Sequence, residues 1–245
     1  DGLLAQGYLS DKSILSYWPA GYPILIWLLT KISLTYVIAL ISFTQTIFYA
    51  YASYYFVKQL RGTRLQPYMF WIAVALAFNP TLSLSSLAVG YESPIAACML
   101  MVVGLIIKSL QSPHDRGLIL RVVAAGFFSA IATFMQPRWI LTSIVIAILW
   151  ALFTKGRKAQ ALILVGVVGV MALAPAIMID RNVRSIDKAV ISTNLGVTMN
   201  IGAGPDTTGG YAKTGDSVPC EPVPPATTVT DNDVVKCVIK WYISN

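Results

Sequence analysis

Long apolar stretches alternate with short polar breaks between residues 34 and 179. The breaks contain basic residues together with Gly and Pro. Gly and Pro are typical of turns, where helices end. About 20 residues of α-helix cross the ~30 Å hydrocarbon core of a bilayer, and a stretch near 15 residues must thin the bilayer or lie inside a bundle. The pattern predicts six membrane-spanning helices: Leu34–Val57, Pro67–Val89, Ser93–Ile107, Leu118–Met135, Trp139–Phe153 and Ala159–Ile179.

Basic residues are concentrated in alternate breaks. The first, third and fifth breaks are basic, whereas the second holds only Glu92 and the fourth only Arg138. Cytoplasmic loops carry an excess of Lys and Arg, so the basic breaks face the cytoplasm. Six spans then place residues 1–33 and 180–245 on the exoplasmic side. The basic residues in or beside these breaks are Lys58, Arg61, Arg64, Lys108, Arg116, Arg121, Lys155, Arg157 and Lys158.

Residues 1–33 contain an apolar run, Ile24–Leu29, that is too short to span a membrane. Tyr17, Trp18 and Tyr22 carry amphipathic rings that suit the headgroup level. The segment therefore predicts one or two helices lying on the outer membrane face, with a helix start near Tyr22. Residues 34–179 form the predicted six-helix bundle.

Residues 180–245 form a polar, Gly- and Pro-rich exoplasmic region that ends in a short helix. The sequence Val197–Ile201 (VTMNI) predicts a short strand before a run of glycines that allow tight turns. Cys220 and Cys237 both lie in this region, where oxidation is permitted. Either a disulfide or two reduced thiols fits the sequence.

Composition agrees with a membrane protein. Hydrophobic residues make up 56% of the chain and charged residues 12%, and the mean hydropathy is +0.67; a soluble domain carries about 25% charged residues. The predicted class is an all-α polytopic membrane protein. The net charge of +7 reflects orientation in the bilayer and is not a nucleic-acid signature.

Several motifs, spread in order along the chain, resemble one family. YWPAGYPILIWLL resembles the WPPGYPLFLA segment of bacterial lipid-dependent glycosyltransferases of the GT-C class, which include relatives of protein mannosyltransferases and aminoarabinose transferases. ISTNLGVTMNIGAGPDTTGGY, which follows Arg181-Asn182, is similar to their STNGGxNLWIGNNPxATGGY loop. QPRW resembles their luminal RP turn with the order swapped, and CVIKWYISN resembles their helix ending in NP before another span.

This resemblance implies an integral membrane enzyme of the bacterial plasma membrane. It would transfer a sugar from a polyprenyl-phosphate donor to a glycan, lipid or protein acceptor outside the cytoplasm. The family's principal catalytic Asp stands in the first outer loop, soon after a membrane helix. In the family this Asp stands some residues before a YxxxAxxLxxxG helix. Because Gly2–Ser10 resembles the end of that helix, we expect the Asp upstream of residue 1, with Asp1 as the alternative. The chain begins without Met and ends at KWYISN without a closing helix, so we expect the full protein to be longer at both ends.

Glu92 is the candidate catalytic carboxylate within the chain. It is the only acid between Asp11 and Asp115, and it lies at an outer helix end. Sugar transfer needs a carboxylate that accepts the proton of the acceptor hydroxyl. Glu92 is also a candidate ligand for a divalent metal ion. The alternative is an acid at a helix N-terminus, stabilised there by the helix dipole.

Basic residues at the outer face are candidates for binding the donor phosphate. Arg138 leads, because it is the only base of its break, and a guanidinium pairs with phosphate in a bidentate manner. Lys31, Arg181 and Arg184 could share this role, or contact lipid headgroups. Tyr22, Asn194, Asn200 and Asp206 are candidates for contacting sugar or acceptor; the alternative for the glycine-rich loop is structural packing. We expect a cavity bordered by Glu92, Arg138 and Tyr17–Pro23.

Other functions fit the composition. A transporter or flippase of lipid-linked saccharides should have ionisable residues or broken helices at mid-membrane. The middles of the predicted spans hold only Gln45, Asn79-Pro80 and Gln136 as polar features, and the unusual charges lie at outer ends. This distribution favours an enzyme. A non-catalytic membrane assembly subunit is the third alternative.

Overall fold

The structure is a computed structural model that describes residues 19–112, 117–201, 203, 220 and 228–244. Its described residues are helical and include no strand. Those of the first unit, residues 21–176, form eight α-helices. They are α1 (Gly21–Thr30), α2 (Val37–Gln59), α3 (Met69–Phe78), α4 (Pro80–Ser83), α5 (Glu92–Gln111), α6 (Leu118–Met135), α7 (Trp139–Phe153) and α8 (Arg157–Met171).

The remaining helices are α9 (Leu173–Ile186), α10 (Leu195–Ile201) and α11 (Thr228–Ser244). From Ile177 onward the chain belongs to a second compact unit. In this unit α10 packs against α11 around a small apolar cluster of Ala203, Cys220, Val234 and Val238.

Four helical stretches are long and apolar enough to cross a membrane. They are Val37–Gln59, Glu92–Gln111, Leu118–Met135 and Arg157–Ile186, the last of which includes α8 and α9. Many large apolar side chains on these helices are exposed, as expected for a surface solvated by lipid. The described residues are therefore all-helical and include four helices suited to cross a membrane, as in a membrane protein, whereas the other two predicted spans correspond to shorter helices.

The second predicted span, Pro67–Val89, is interrupted in the structure. Its main helix, α3, ends at Phe78, and Asn79 is extended with ψ 112°. Pro80 explains the break, because a proline ring disfavours the α conformation of the residue before it and provides no backbone donor. The chain continues as the four-residue α4 and a 3₁₀ turn, Leu84–Ser86.

The fifth predicted span, Trp139–Phe153, is α7 with the predicted bounds. At 15 residues it is about 22 Å long and shorter than the ~30 Å hydrocarbon core. The strand predicted at Val197–Ile201 is wrong, because these residues belong to α10. The β-branched residues that suggested a strand are overridden by tertiary context, since Asn200 on α10 is bonded to the backbone of Cys220.

Two pairs of long helices run parallel to each other. In the first pair, Gln45 of α2 bonds to Gly90 just before α5 begins, and Gln111 at the end of α5 bonds to Gln59 at the end of α2. In the second pair, Gly126 of α6 lies against Val170 of α8, and Gly166 of α8 against Val122 of α6. Residues 60–91 connect α2 to α5, and α7 connects α6 to α8. Because each pair is parallel, both connections must run back from one end of the bundle to the other.

Candidate functional site

The ends of three helices meet around one apolar cluster in the first unit. Tyr22 lies in the first turn of α1, Glu92 begins α5, and Arg138 immediately precedes α7. Each of these residues has a neighbour in sequence, at most one helical turn away, that packs on the same group of apolar side chains. The buried members are Ile95, Cys98, Ala132 and Met135, and the side chains packed on them include Leu25, Tyr91 and Trp139.

Gly21 allows α1 to begin directly against the end of α6. A Cβ atom at this position would lie 2.6 Å from the carbonyl carbon and oxygen of Phe134 and 2.7 Å from the nitrogen of Met135. These are backbone atoms and cannot rotate away, so only glycine fits. The start of α1 is thereby fixed next to the turn that carries Arg138.

Tyr22 is held by a buried amide. The Nε2 of Gln45 donates to the Tyr22 Oη over 2.6 Å and to the Gly90 carbonyl oxygen over 3.2 Å. The Tyr22 ring meets the ring of Tyr91 edge to face, with centroids 6.4 Å apart. Tyr22 is 8% exposed and Gln45 1% exposed. The two hydrogen bonds of the Gln45 amide therefore connect α2 to α1 and to the segment that precedes Glu92.

The Glu92 carboxylate is exposed and lies close over the backbone of Gly90, where a Cβ atom would meet its Oε2. Burial raises the pKa of the Tyr22 phenol, and the negative charge of Glu92 raises it further, while hydrogen bonds with Gln45 and the Gly90 backbone act in the opposite direction. Tyr22 thus keeps its proton at neutral pH and serves as a hydrogen-bonding group. Glu92 is the carboxylate of this site.

Arg138 presents an exposed guanidinium at the N-terminal end of α7. In the described part of the chain it has no hydrogen bond or ion pair, and its side chain is therefore available to an anion. Lys31 differs: its Nζ lies 5.1 Å from the Trp27 ring centroid, a cation–π contact. It follows the last residue of α1, about 14 Å along the helix from Tyr22, and so lies away from the cluster.

The two arginines of the second unit are engaged in local contacts. Arg181 is 1% exposed, and its Nη1 donates to the Asn182 Oδ1 over 2.6 Å. Asn182 in turn donates to the carbonyl oxygens of Val190 and Ile191. The Arg184 Nε lies 3.0 Å from the Asp180 Oδ1 in an exposed pair one helical turn apart. Arg181 therefore organises the chain after α9, and Arg184 balances a neighbouring carboxylate.

The predicted acceptor-contacting asparagines also have local partners. The Asn194 Oδ1 accepts from the Ser192 Oγ over 2.8 Å, and its carbonyl oxygen accepts from the Thr198 N–H at the start of α10. Asn200 is fully buried, donates to the Cys220 carbonyl oxygen and accepts from the Cys220 N–H. Cys220 forms a disulfide with Cys237, with the sulfurs 2.04 Å apart. Asn200 thus joins α10 to α11 through Cys220.

Asp1, Asp206, Tyr17 and Trp18 lie outside the described residues. A cavity of about 600 Å³ lies between α2, α3 and residues 83–87, and neither Glu92 nor Arg138 lines it. Its lining is mostly apolar and includes Tyr49, Ala73 and Leu84. No group of three or more His, Cys, Asp or Glu side chains is close enough to hold a metal ion within the described ranges, so Glu92 belongs to no such group there.

Gln45 is the buried polar residue of this site whose contacts the sequence pattern did not reveal. The available signal was an amide in the middle of an apolar span, with Ser42 and Thr46 at helical spacing on the same face. All three side chains contact the segment before Glu92.

Comparisons of the chain with protein-family models, curated proteins and solved structures found no match. The functional assignment therefore depends on the side chains around Tyr22, Glu92 and Arg138.

Proposed function

We propose that this chain belongs to a membrane glycosyltransferase similar to the GT-C class. It transfers a sugar from a polyprenyl-phosphate donor to a glycan, lipid or protein acceptor on the exoplasmic side. The observation that carries this proposal is the meeting of three helix ends around one apolar cluster, on which Tyr91, beside Glu92, and Trp139, beside Arg138, both pack.

The roles follow from the charges that develop during transfer. The acceptor hydroxyl attacks the anomeric carbon of the donor sugar, and Glu92 accepts the hydroxyl proton. The bond between the anomeric carbon and the phosphate oxygen breaks, and its electron pair leaves with the polyprenyl phosphate. Arg138 stabilises the negative charge that grows on this phosphate. A carboxylate upstream of residue 1, or Asp1, would share the work of Glu92 as the resemblance implies.

The exposed apolar side chains of the long helices support a donor that arrives from the bilayer. Gln45 lies eight residues after the first residue of α2, about 12 Å along the helix. The site is therefore recessed below the end of α2, and the first turns of α2 pack against α1 beside it. A phosphate whose polyprenyl chain lies in the hydrocarbon would approach such a recessed site from the bilayer.

Glu92→Gln tests the proposal. Removing the proton acceptor while keeping the side-chain shape should lower transfer by about 10²- to 10⁴-fold. The measurement is transfer of labelled sugar from a polyprenyl-phosphate donor in membranes with matched protein levels. Asp233→Asn, an exposed change on α11, is the control and should leave transfer unchanged. Full activity of Glu92→Gln would remove Glu92 from the reaction.

A flippase of lipid-linked saccharides is the second candidate, and the interruption at Asn79-Pro80 favours it. Broken helices beside a cavity are a feature of transporters, and the cavity of about 600 Å³ adjoins this interruption. If the unsubstituted protein moves a lipid-linked saccharide across a vesicle membrane and shows no transfer from the donor, the flippase proposal replaces the enzyme proposal.

A further inference from the structure

A stripe of polar side chains on α2 faces the chain segment that leads into Glu92. Ser42, Gln45, Thr46 and Tyr49 recur at the three- and four-residue spacing of one helix face. The Ser42 Oγ donates to the Leu87 carbonyl oxygen over 2.8 Å, and the Thr46 Oγ1 lies 3.2 Å from the Ser86 Oγ. Further along, the Tyr49 hydroxyl donates to the Leu76 carbonyl oxygen over 2.9 Å. This stripe holds the interrupted segment against α2.

Gln45 has a distinct position in the stripe, because it alone of these four bonds to two other elements. One amide hydrogen binds the Tyr22 Oη and the other the Gly90 carbonyl oxygen. A carbonyl oxygen can only accept, so the contact with Gly90 identifies the Gln45 atom there as the nitrogen. Its Oε1 is consequently turned away, and it is buried without a hydrogen-bond partner in the part of the chain that the structure describes.

The unpartnered oxygen argues against a purely structural role. Burying a carbonyl without a donor is costly, and an apolar side chain of similar volume would avoid that cost. The double donation is nonetheless present, and it ends at Tyr22 and at Gly90, two residues before Glu92. Gly90 lies under the Glu92 carboxylate. The negative charge of that carboxylate contributes to the raised pKa of Tyr22. Holding these two groups restrains the backbone from which the Glu92 side chain extends.

We propose that Gln45 is the positioning residue of Glu92: by binding Gly90 and Tyr22 together it fixes the carboxylate relative to α1. The consequence for turnover rests on the proposed glycosyl transfer. Gln45 touches no reacting atom in this proposal. Its role is to keep the general base within reach of the acceptor hydroxyl, because a displacement of about 1 Å can cost a large part of a rate.

Gln45→Met tests this role, since methionine has similar volume and no donor. A nitroxide label attached at Glu92→Cys, in a Cys98→Ala background, reports the mobility of position 92 by electron paramagnetic resonance. The native disulfide leaves no other free thiol among the described residues. We expect Gln45→Met to make the label clearly more mobile. Thr46→Val, the matched loss of a neighbouring stripe contact, should leave its spectrum unchanged.

Turnover is measured separately, with Glu92 intact. Gln45→Met should lower kcat by about 10- to 100-fold with KM within twofold, because binding is kept and the base is misplaced. An unchanged label spectrum in Gln45→Met, or an equal change in Thr46→Val, overturns the positioning role. If the unsubstituted protein shows no transfer, the proposed function fails, and the label spectra still decide whether Gln45 fixes position 92.

Discussion

Two arginines illustrate how burial decides what a guanidinium can do. Arg181 is buried and bonded to Asn182, so its charge serves the local fold. Arg138 is exposed at a helix end and can pair with an anion from the membrane. Both were identified as candidates from the sequence, Arg138 as the only base of its break and Arg181 as one of several bases expected at the outer face. The sequence could not separate them, since burial depends on residues distant in the chain.

For Arg138, replacement by lysine or alanine tests the contact with phosphate. Arg138→Lys should lose most turnover, since a point ammonium cannot reproduce a bidentate guanidinium contact. Arg138→Ala should lose about 10²- to 10³-fold, as expected when a contact made mainly in the transition state is removed. Sugar transfer in membranes is the assay, and Lys240→Ala on the exposed face of α11 is the control. Unchanged transfer in Arg138→Ala would refute the phosphate-binding role.

At the scale of elements, hydrophobic patterning located the helices better than it located their interruptions. The bounds of α6 and α7 agree with the predicted Leu118–Met135 and Trp139–Phe153, and α1 begins beside the predicted Tyr22. The break at Asn79 was missed because the apolar pattern continues through Pro80, although the proline itself carried the signal. The position of Gln45 in the site was also missed, because its partners come from α1 and from residue 90.

Gly21→Ala tests the close contact of α1 with α6. The added methyl group would collide with the backbone of Phe134 and Met135, so α1 must move away. Overpacking of this kind costs about 1–3 kcal/mol, and we expect a lower thermal unfolding temperature in detergent together with reduced transfer. Gly169→Ala is the matched control, since nothing lies within 4 Å of its added Cβ and alanine favours the helix. Equal stability of the two variants would contradict the contact.

At the scale of the whole molecule, the parallel helix pairs bear on how often the chain crosses the bilayer. Because α2 and α5 are parallel, residues 60–91 must pass from one end of the bundle to the other. The same reasoning applies to α7, between the parallel α6 and α8. These return passages support six crossings, two of them by segments that are short or interrupted. The disulfide of Cys220 and Cys237 favours an oxidising compartment for the second unit, as the charge pattern does.

The return passage of residues 60–91 can be tested with two single cysteines in a Cys98→Ala background. Leu65→Cys lies in the basic first break, and Ala88→Cys lies just before Glu92; both positions are exposed. Four crossings without this passage would place them on the same side of the membrane. Six crossings place them on opposite sides, with position 88 outside, because Lys58, Arg61 and Arg64 keep the first break in the cytoplasm.

With an impermeant maleimide on intact cells, we therefore expect labelling of Ala88→Cys and none of Leu65→Cys until the membrane is permeabilised. Labelling of both positions in intact cells would show that residues 65–88 do not cross. Labelling of Leu65→Cys alone would invert the orientation and place Glu92 in the cytoplasm, where the proposed exoplasmic transfer could not take place. The recessed depth of the site adds a further expectation: Ala88→Cys should react more slowly than Lys240→Cys, which lies on an exposed face of α11.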